Sequence, residues 1–336
     1  MVSREHEVVV LMSRRTFGLQ FHAPQVERLR SLARVGDPIL LEHLDSADAR
    51  QRLATADVLL TSWGAPALTH EHLDAAPRLR AVLHAAGSVR DLIPPQAWDR
   101  GIRVTTAAEE NARPVAEFAL AAIIMAGKGV PAVAARGGTA PHGWRLHDDL
   151  SNRGRTIGIV GFSRIGRRVA RLVQEVLEPG AVLVSDPTVS AQEVADAGAR
   201  LVELPELLAR ADMVSLHAPA LPSTHHMIGA AQLALMRDGA TLVNTARGSL
   251  VDTTALEREC ATGRLQALLD VTDPEPLPPG SPLTSLPNVL ITPHVAGSLG
   301  SEVRRMSDAA LGELERFVRG EPALSPFRRE HLEVSA

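Results

Sequence analysis

Short, continuous apolar runs alternate with helical patterns along the first hundred residues. The runs lie at residues 8–12, 58–62, 79–84 and 102–105, and helical spacing of apolar residues lies between them, for example at 26–33 and 70–75. Uninterrupted apolar runs of this length, bounded by turn residues, are typical of strands buried on both faces of a parallel sheet. This part of the chain is therefore predicted to form a small α/β layer.

The same alternation resumes after residue 155 and favours a second sheet. Six apolar runs lie at residues 156–160, 181–185, 213–216, 241–244, 266–271 and 288–292. Strands joined by helical crossovers in this way predict a doubly wound parallel sheet. A final helix at 301–319 could pack on the first layer, which would make that domain discontinuous.

A long apolar helix is predicted between the two layers, at residues 114–127. Pro114 is acceptable in the first helical turn, where a backbone N–H would have no helical partner. The helix is apolar around most of its circumference, which indicates burial on more than one side. A stretch rich in glycine, proline and histidine follows at 129–143 and is predicted to be a loop interrupted by a short helix.

The first strand of the second layer runs into a glycine turn. Gly161 lies at the turn and Gly166 in the first turn of the following helix, while Asp186 ends the next strand 20 positions later. A βαβ unit of this layout can hold a dinucleotide, with the pyrophosphate at the helix N-terminus and the acid on the ribose hydroxyls. Ser163 occupies the position of the usual middle glycine, where its hydroxyl could donate to a phosphate oxygen. The alternative interpretation is an ordinary tight turn between a strand and a helix.

Composition excludes several classes of function. The chain of 336 residues is long enough for two domains, and its net charge of −4 indicates no nucleic-acid partner. No apolar stretch is long enough to span a membrane, and the first residues do not resemble a secretory signal. The single cysteine, Cys260, is interpreted as a packing residue of a helix and favours the reducing cytoplasm.

The absence of tyrosine limits the acid–base chemistry available. With no tyrosine and a single lysine, Lys128, the chain has no Tyr–Lys pair for proton transfer. Acid–base catalysis must therefore depend on histidine, aspartate or glutamate.

Three polar residues follow predicted strands at the edge where open α/β sheets bind ligands. Arg247 follows the run at 241–244, Glu275 follows 266–271, and His294 follows 288–292. Each alone has an ordinary structural explanation, as a solvated loop residue or a packed histidine. Together they suit hydride transfer to a 2-oxo acid, because histidine can protonate the developing alkoxide, a carboxylate can favour the charged imidazole, and arginine can bind a carboxylate through two N–H groups.

In combination and order, the motifs resemble those of the D-isomer-specific 2-hydroxyacid dehydrogenase family. They are GIVGFSRIG, DMVSLHAPALPSTHHMIG, LMRDGATLVNTARGSLVD, LDVTDPEPL and NVLITPHVAG, and the similarity covers nearly all of the chain. The resemblance implies that Arg247 binds the substrate carboxylate and carbonyl, that His294 is the acid/base, and that Glu275 pairs with His294.

The family's fold is an expectation of the same kind. It implies two doubly wound α/β domains of the Rossmann/flavodoxin-like type, with the active site in the cleft between them. The substrate-binding domain would comprise residues 1–110 and 300–336, and the NAD-binding Rossmann domain residues 111–299. Expected partners are a small 2-oxo or 2-hydroxy acid and a second copy of the chain, with the helix at 114–127 in a homodimer interface.

Further site positions follow from the resemblance, one at a time. NAD would be bound by Gly161, Ser163, Arg164, Ile165, Gly166, Asp186, His217, Pro219, Thr224, Thr245, Ala246 and Asp270. The substrate would be bound by Trp63, Ala86, Gly87, Ser88 and Arg247, with backbone N–H groups of residues 86–88 on its carboxylate. Trp144 is a further residue expected to shape the substrate pocket. No metal ligand is expected.

Departures from the family pattern leave the three catalytic positions intact. Ser163 replaces the middle glycine, Pro114 and Phe118 replace the more usual Ser and His, and Thr272 replaces a common Phe. Two alternative functions share the catalytic residues: an NAD-binding transcriptional co-repressor and a phosphite dehydrogenase. Formate dehydrogenases carry glutamine where Glu275 stands, which is evidence against that activity.

Overall fold

The computed structural model describes residues 5–135 and 150–334 of the chain. Trp144, expected to shape the substrate pocket, lies outside the described residues. The chain divides into two compact units. Unit 1 comprises Met1–Asn111 and Ser298–Ala336, and unit 2 comprises Ala112–Gly297.

The strands and helices follow one another in the alternation that the apolar runs predicted. The strands are β1 (Glu7–Leu11), β2 (Arg34–Leu41), β3 (Val58–Thr61), β4 (Ala81–His84), β5 (Arg103–Thr106), β6 (Thr156–Val160), β7 (Ala181–Ser185), β8 (Arg200–Leu201), β9 (Met213–Leu216), β10 (Thr241–Asn244), β11 (Gln266–Leu269) and β12 (Val289–Ile291). The helices are α1 (Arg14–Gln20), α2 (Ala23–Leu32), α3 (Ala47–Thr55), α4 (His70–Asp74), α5 (Gln96–Asp99), α6 (Ala108–Gly127), α7 (Val130–Ala135), α8 (Arg164–Val176), α9 (Ala191–Ala195), α10 (Leu204–Arg210), α11 (Ala230–Leu235), α12 (Thr253–Ala261), α13 (Val303–Val318) and α14 (His331–Val334).

Unit 1 is built on a five-stranded parallel sheet in the order β2-β1-β3-β4-β5. Alternate residues of each strand enter cores on opposite faces, with Val9 and Leu59 on one face and Val8 and Leu60 on the other. Helix α13 packs its apolar side, including Leu314, against the second of these cores. Helix α13 therefore belongs to unit 1, although most of that unit precedes residue 112.

Strand β2 is a part of unit 1 that the apolar pattern did not predict. Its sequence, RVGDPILL, contains Gly36 and Pro38, both of which disfavour a strand interior. The strand lies at the edge of the sheet, and its pairing with β1 shifts register between Val8 and Val10. An edge position with an irregular register tolerates a proline, since the missing N–H costs no ladder hydrogen bond there.

Unit 2 contains a seven-stranded parallel sheet in the order β12-β11-β10-β9-β6-β7-β8. The prediction of six strands was one short, because the edge strand β8 spans only Arg200–Leu201 and leaves no apolar run in the sequence. The order reverses at β6 and β9, which are neighbours, as in other doubly wound sheets. One face carries α6 and α8 and the other carries α10, α11 and α12.

Helix α6 begins six residues before the predicted start, at Ala108 rather than Pro114, so Pro114 lies inside the helix. Glu109 and Glu110 in its first turn favour an earlier start through the helix dipole. Ala116, Ala119 and Ile123 pack the helix onto the core of unit 2.

Two further expectations have a structural outcome. Cys260 is 1% exposed within α12, and burial raises the pKa of its thiol to about 12. The thiol is therefore protonated and unreactive at neutral pH, which confirms its interpretation as a packing residue. Among the described residues, no helix has both the length and the apolar character needed to cross a bilayer.

Candidate active site

Arg247, Glu275 and His294 lie in loops at one edge of the unit 2 sheet. They follow β10, β11 and β12, which are adjacent and parallel, so their carboxyl ends lie side by side. The loops themselves are in contact: a Cβ added to Gly248 would lie 1.9 Å from the carbonyl oxygen of Thr272. The close approach places the segment that carries Arg247 against the segment that carries Glu275.

His294 and Glu275 form a direct pair. The Nδ1 atom of His294 lies 2.8 Å from Oε1 of Glu275. With Nδ1–H donated to the carboxylate, Nε2 is the ring atom free to exchange a proton with a ligand. His294 also adopts a left-handed backbone conformation, with φ of 54°, which an L-residue adopts only at a cost of about 1 kcal/mol or more.

A buried carboxylate holds His294 in that conformation. Asp270, 2% exposed, accepts hydrogen bonds at Oδ1 from the Thr292 hydroxyl (2.6 Å) and the Val295 N–H (2.8 Å), and at Oδ2 from the Ala296 N–H (2.8 Å). Its backbone carbonyl accepts from the N–H of His294 itself at 2.9 Å. Asp270 therefore positions the whole turn that presents the imidazole.

The loop that carries Arg247 is organised by Asn244, the last residue of β10. The side chain of Asn244 accepts from the Ala246 N–H at 3.0 Å and donates to the Arg247 carbonyl at 2.9 Å. The exposed guanidinium of Arg247 donates one hydrogen bond, from Nη1 to the Ala246 carbonyl at 2.7 Å. Its remaining N–H groups have no acceptor among the described residues, so they are available to a ligand.

The glycine turn after β6 is packed too tightly for side chains at two positions. Gly161 has φ of +90°, and a Cβ there would lie 2.5 Å from the backbone nitrogen of Ala218. A Cβ on Gly166 would lie 2.0 Å from the carbonyl oxygen of Gly161. Ser163 is the N-cap of α8 with φ of −85° and makes no side-chain cap, so a serine fits this position without strain and its hydroxyl is uncommitted.

Asp186 lies beside this turn at the end of β7. Its Oδ2 accepts from the Phe162 N–H at 2.7 Å, while Oδ1 accepts from the N–H and the hydroxyl of Thr188 at 2.8 and 2.6 Å. The carboxylate thus joins the glycine turn to the end of the next strand. Arg164 and Ile165 follow Ser163 in the first turn of α8, whose backbone N–H groups point out of the helix N-terminus.

The segment after β9 contains the next group of predicted cofactor residues. Burial lowers the pKa of His217 to about 3, so its ring is neutral. The Nε2 atom of the ring lies 2.9 Å from the Ser215 hydroxyl, and Nδ1 is buried without a hydrogen-bond partner. Thr224 closes the loop by donating to the Pro219 carbonyl at 2.6 Å. Beside β10, the buried hydroxyl of Thr245 also has no partner in the described structure.

A cavity of about 690 Å³ lies against the catalytic pair in unit 2. Its polar lining comprises Asp270, Thr272, Glu275, Thr284, Thr292 and His294, and its apolar lining includes Leu277, Leu283 and Ile291. The imidazole therefore borders a space that can accept a small molecule.

The predicted substrate residues of unit 1 follow β3 and β4. Trp63, 40% exposed, lies after β3, and Ala86, Gly87 and Ser88 lie after β4. The two strand ends are joined because the Ser62 hydroxyl donates to the Ala85 carbonyl at 3.0 Å. Within the described residues, the backbone N–H groups of Gly87 and Ser88 have no acceptor, which leaves them available to an anion.

Two residues that organise the site were not identified from the sequence. Asn244 and Thr292 position the loops of Arg247 and His294. For Asn244 a signal was present, since an asparagine that ends a strand commonly accepts from the N–H two residues later. Thr292 gave no such signal, because its partner Asp270 lies 22 positions earlier in the chain.

Comparison with known proteins finds relatives over most of the chain. Residues 121–296 match the family model described as D-isomer specific 2-hydroxyacid dehydrogenase, NAD binding domain. A glyoxylate reductase of Korarchaeum cryptofilum is 35% identical over 291 residues, which are 84% of this chain and 86% of the relative.

A D-3-phosphoglycerate dehydrogenase of Mycobacterium tuberculosis is 36% identical over 296 residues. That alignment covers 86% of this chain but 54% of the relative, so the chain spans about half the length of the phosphoglycerate dehydrogenases it matches. Among solved structures, a protein of Thermus thermophilus has 32% identity and a TM-score of 0.72, with 96% of this chain and 100% of that chain covered. A phosphoglycerate oxidoreductase of Rhizobium etli has 25% identity and a TM-score of 0.81, with 97% and 99% covered.

Proposed function

Since the chain belongs to the D-isomer specific 2-hydroxyacid dehydrogenase family, we propose that it is an NAD-dependent oxidoreductase that interconverts a small 2-oxo acid and its D-2-hydroxy acid. The observation that carries the proposal is the hydrogen-bonded pair of His294 and Glu275 beside the loop of Arg247. These groups supply a proton donor, a charge that favours its protonated form, and a binder for the substrate carboxylate.

The proton is proposed to move at Nε2 of His294. Glu275 occupies Nδ1 at 2.8 Å, so the protonated ring presents Nε2–H to the oxo oxygen of the substrate. In reduction the ring gives up this proton as the alkoxide forms, and in oxidation the neutral ring takes it back. The carboxylate stabilises the charged ring in both directions, most strongly when a bound ligand excludes water from the pair.

Arg247 is proposed to bind the substrate carboxylate and carbonyl oxygens. Its guanidinium has one intramolecular hydrogen bond at 2.7 Å, which orients the side chain while leaving further N–H donors. A planar guanidinium can form two parallel hydrogen bonds to a carboxylate, which an ammonium group cannot. In unit 1, the N–H groups of residues 86–88 are proposed as a further substrate-binding group, as the resemblance implies.

Buried polar atoms without partners support NAD at the proposed cofactor positions. His217 Nδ1 and Thr245 Oγ1 are buried without partners, and the N-terminus of α8 has no side-chain cap. Ser163, Arg164 and Ile165 would hold the pyrophosphate, and Asp186 the adenosine ribose. When bound, NADH supplies the hydride that reduces the carbonyl carbon of the substrate. The further cofactor residues are proposed to be Gly161, Gly166, His217, Pro219, Thr224, Thr245, Ala246 and Asp270.

The second partner that we propose is another copy of this chain. Helix α6 keeps Phe118 and Ile124 only partly buried, in addition to the side chains that pack on the unit 2 core. A two-fold contact through this helix would cover these side chains.

A substrate panel tests the proposed activity. Loss of NADH absorbance is followed with glyoxylate, hydroxypyruvate, pyruvate, 2-oxobutyrate, longer and aromatic 2-oxo acids and 3-phosphohydroxypyruvate, and NAD reduction is followed with phosphite. We expect turnover of at least one 2-oxo acid and none of phosphite. The kcat of the His294→Ala variant should fall roughly 10²- to 10⁴-fold, which is the usual contribution of a positioned acid, and its affinity for NADH should be unchanged.

Arg247→Lys is the matched test of substrate binding, because it keeps the charge and removes the bidentate geometry. The KM for the 2-oxo acid should rise while NADH affinity stays the same. NADH binding without turnover of any 2-oxo acid, or near-normal turnover by His294→Ala, would contradict the proposed function.

A further inference from the structure

Three side chains that can ligate a metal gather in unit 2, apart from the catalytic pair. They are His225 and His226, in the loop after β9, and Asp273, in the loop after β11. One ligand atom from each lies within 4.8 Å of the other two. No local sequence pattern marks these residues as a group, because 47 positions separate the second histidine from the aspartate.

The backbone brings the two imidazoles to the same side of the chain. Consecutive residues of an extended segment point in opposite directions. His226 breaks that alternation with φ of 51°, and the ring centroids of His225 and His226 lie 3.9 Å apart. His226 and His294 are the only non-glycine residues with positive φ in the described structure. Strained backbone of this kind is concentrated at functional sites.

Backbone hydrogen bonds within this loop and to a neighbouring loop support the strained conformation. The N–H of His226 donates to the Ser249 carbonyl at 2.8 Å, and the N–H of Met227 donates to the Thr224 carbonyl at 3.2 Å. On the other side, the Thr253 hydroxyl donates to the Asp273 carbonyl at 2.5 Å. The backbones of the ligating residues are therefore held in place by hydrogen bonds that leave their side chains uncommitted.

The three side chains are also available for ligation. Within the described residues, neither imidazole nor the Asp273 carboxylate has a hydrogen bond or an ion pair. Both histidines are exposed and Asp273 is half-buried, so water can complete a coordination shell. Metal–ligand distances of about 2.0 to 2.2 Å require small rotations of the exposed rings toward the carboxylate.

We propose that His225, His226 and Asp273 form a binding site for a divalent transition-metal ion such as Zn²⁺, Co²⁺ or Ni²⁺. Two imidazole nitrogens and one carboxylate oxygen suit these ions, whereas Mg²⁺ and Ca²⁺ prefer oxygen ligands alone. A bound ion joins the loop after β9 to the loop after β11, and Glu275 lies two residues beyond Asp273. The ion thereby restrains the loop that carries the proposed partner of His294.

Direct metal binding tests the site without substrate or NAD. Protein without a histidine tag is stripped with a chelator, then titrated with Zn²⁺ by calorimetry and with Co²⁺ by visible absorption. We expect one ion per chain and no measurable binding of Mg²⁺ at the same concentrations. His225→Ala, His226→Ala and Asp273→Asn should each weaken affinity at least about tenfold, since each removes one of three protein ligands.

His70→Ala is the matched control, because His70 is exposed and lies on α4 in unit 1. It should leave the affinity for Zn²⁺ unchanged. Thermal melts in metal-free buffer show whether each variant is folded, and Zn²⁺ should raise the melting temperature of the wild type but not of the His225→Ala/His226→Ala double variant. Absence of a stoichiometric ion in the wild type, or tight binding that persists in the double variant, would overturn the site while leaving the proposed dehydrogenase activity untouched.

Discussion

Glu275 and His294 are 43% and 52% exposed, so their ion pair contributes little to folding in water and is best understood through its effect on chemistry. Reduction requires the protonated ring. Glu275→Gln removes the charge that favours that form, so the alkaline limb of the pH–rate profile for reduction should move to lower pH. The rate of NADH oxidation across a pH series measures this shift.

Glu175→Gln provides a control for the loss of a carboxylate, because Glu175 is exposed on α8 and has no ion pair in the described structure. Its pH–rate profile should coincide with that of the wild type. If the Glu275→Gln profile does not move, the role proposed for Glu275 is wrong, whatever the substrate.

Asp186 is the residue expected to select the cofactor. Its carboxylate lies at the end of β7, where the adenosine ribose of a dinucleotide binds in this type of sheet. A 2′-phosphate there would meet a fixed negative charge. A repulsion of about 1.4 kcal/mol is enough to weaken binding of the phosphorylated cofactor tenfold. We therefore expect kcat/KM at least about tenfold higher with NADH than with NADPH. Equal or better turnover with NADPH would count against the assignment.

At the scale of elements, the loop after β12 depends on a single buried carboxylate. Asp270→Asn replaces one accepting oxygen with an N–H₂ group, which would face an N–H or hydroxyl donor of the turn at 292–296. An unsatisfied buried donor costs about 1 to 3 kcal/mol, so both thermal stability and kcat should fall.

Thr292→Val is a milder substitution in the same turn than Asp270→Asn. It removes the hydroxyl at 2.6 Å but leaves both N–H donors of the turn bonded to Asp270. Its loss of stability in a denaturant titration should be smaller than that of Asp270→Asn. A normal kcat and melting temperature in Asp270→Asn would show that the turn holds its shape without the carboxylate.

The strands differ in how well the sequence predicted them. The bounds of β6, β7, β9 and β10 match the predictions to the residue, because each is an apolar run buried on both faces and ended by a polar or glycine residue. Strands β2 and β8 were missed, and α6 was predicted to start too late. In the two strands, pairing with distant residues outweighs the local preference. The early start of α6 is favoured locally by Glu109 and Glu110 in its first turn.

At the scale of the whole molecule, two buried neutral histidines predict instability in acid. Burial lowers the pKa of His84 to about 4 and that of His217 to about 3. The unfolded chain takes up protons at these residues below a pKa of about 6.5, while the folded protein does not, so stability falls as pH drops from about 6.5 toward 4 and 3. Each histidine should lower the free energy of unfolding by about 2 kcal/mol between pH 7 and pH 5.

Denaturant titrations at both pH values measure this loss. His84→Gln should make the loss in free energy of unfolding smaller by the contribution of one histidine, about 2 kcal/mol. His22→Gln should leave the loss unchanged, since His22 is exposed. An identical pH dependence in wild type and His84→Gln would contradict the prediction.

Helix α6 supports a prediction about assembly. Its partly buried Phe118 and Ile124 would be covered in a two-fold contact. Light scattering should therefore show a homodimer at micromolar concentration. A charged substitution such as Ile124→Glu should shift the protein toward monomer, whereas Glu175→Gln, outside this helix, should not. A stable wild-type monomer would remove the proposed interface.

The sequence by itself determined the parallel sheets, the glycine turn after β6 and the candidate residues Arg247, Glu275 and His294, because each depends on a local pattern of apolar runs followed by a polar residue. The tertiary structure decided most of the contacts that these side chains make. The pair of Glu275 and His294 was implied by the resemblance, and its atoms lie 2.8 Å apart in the structure. Only the structure engaged Asp270 with the turn at 292–296 and gathered His225, His226 and Asp273. Those contacts join loops after different strands, and a local pattern cannot specify them, since they depend on strand order and backbone conformation in the folded chain.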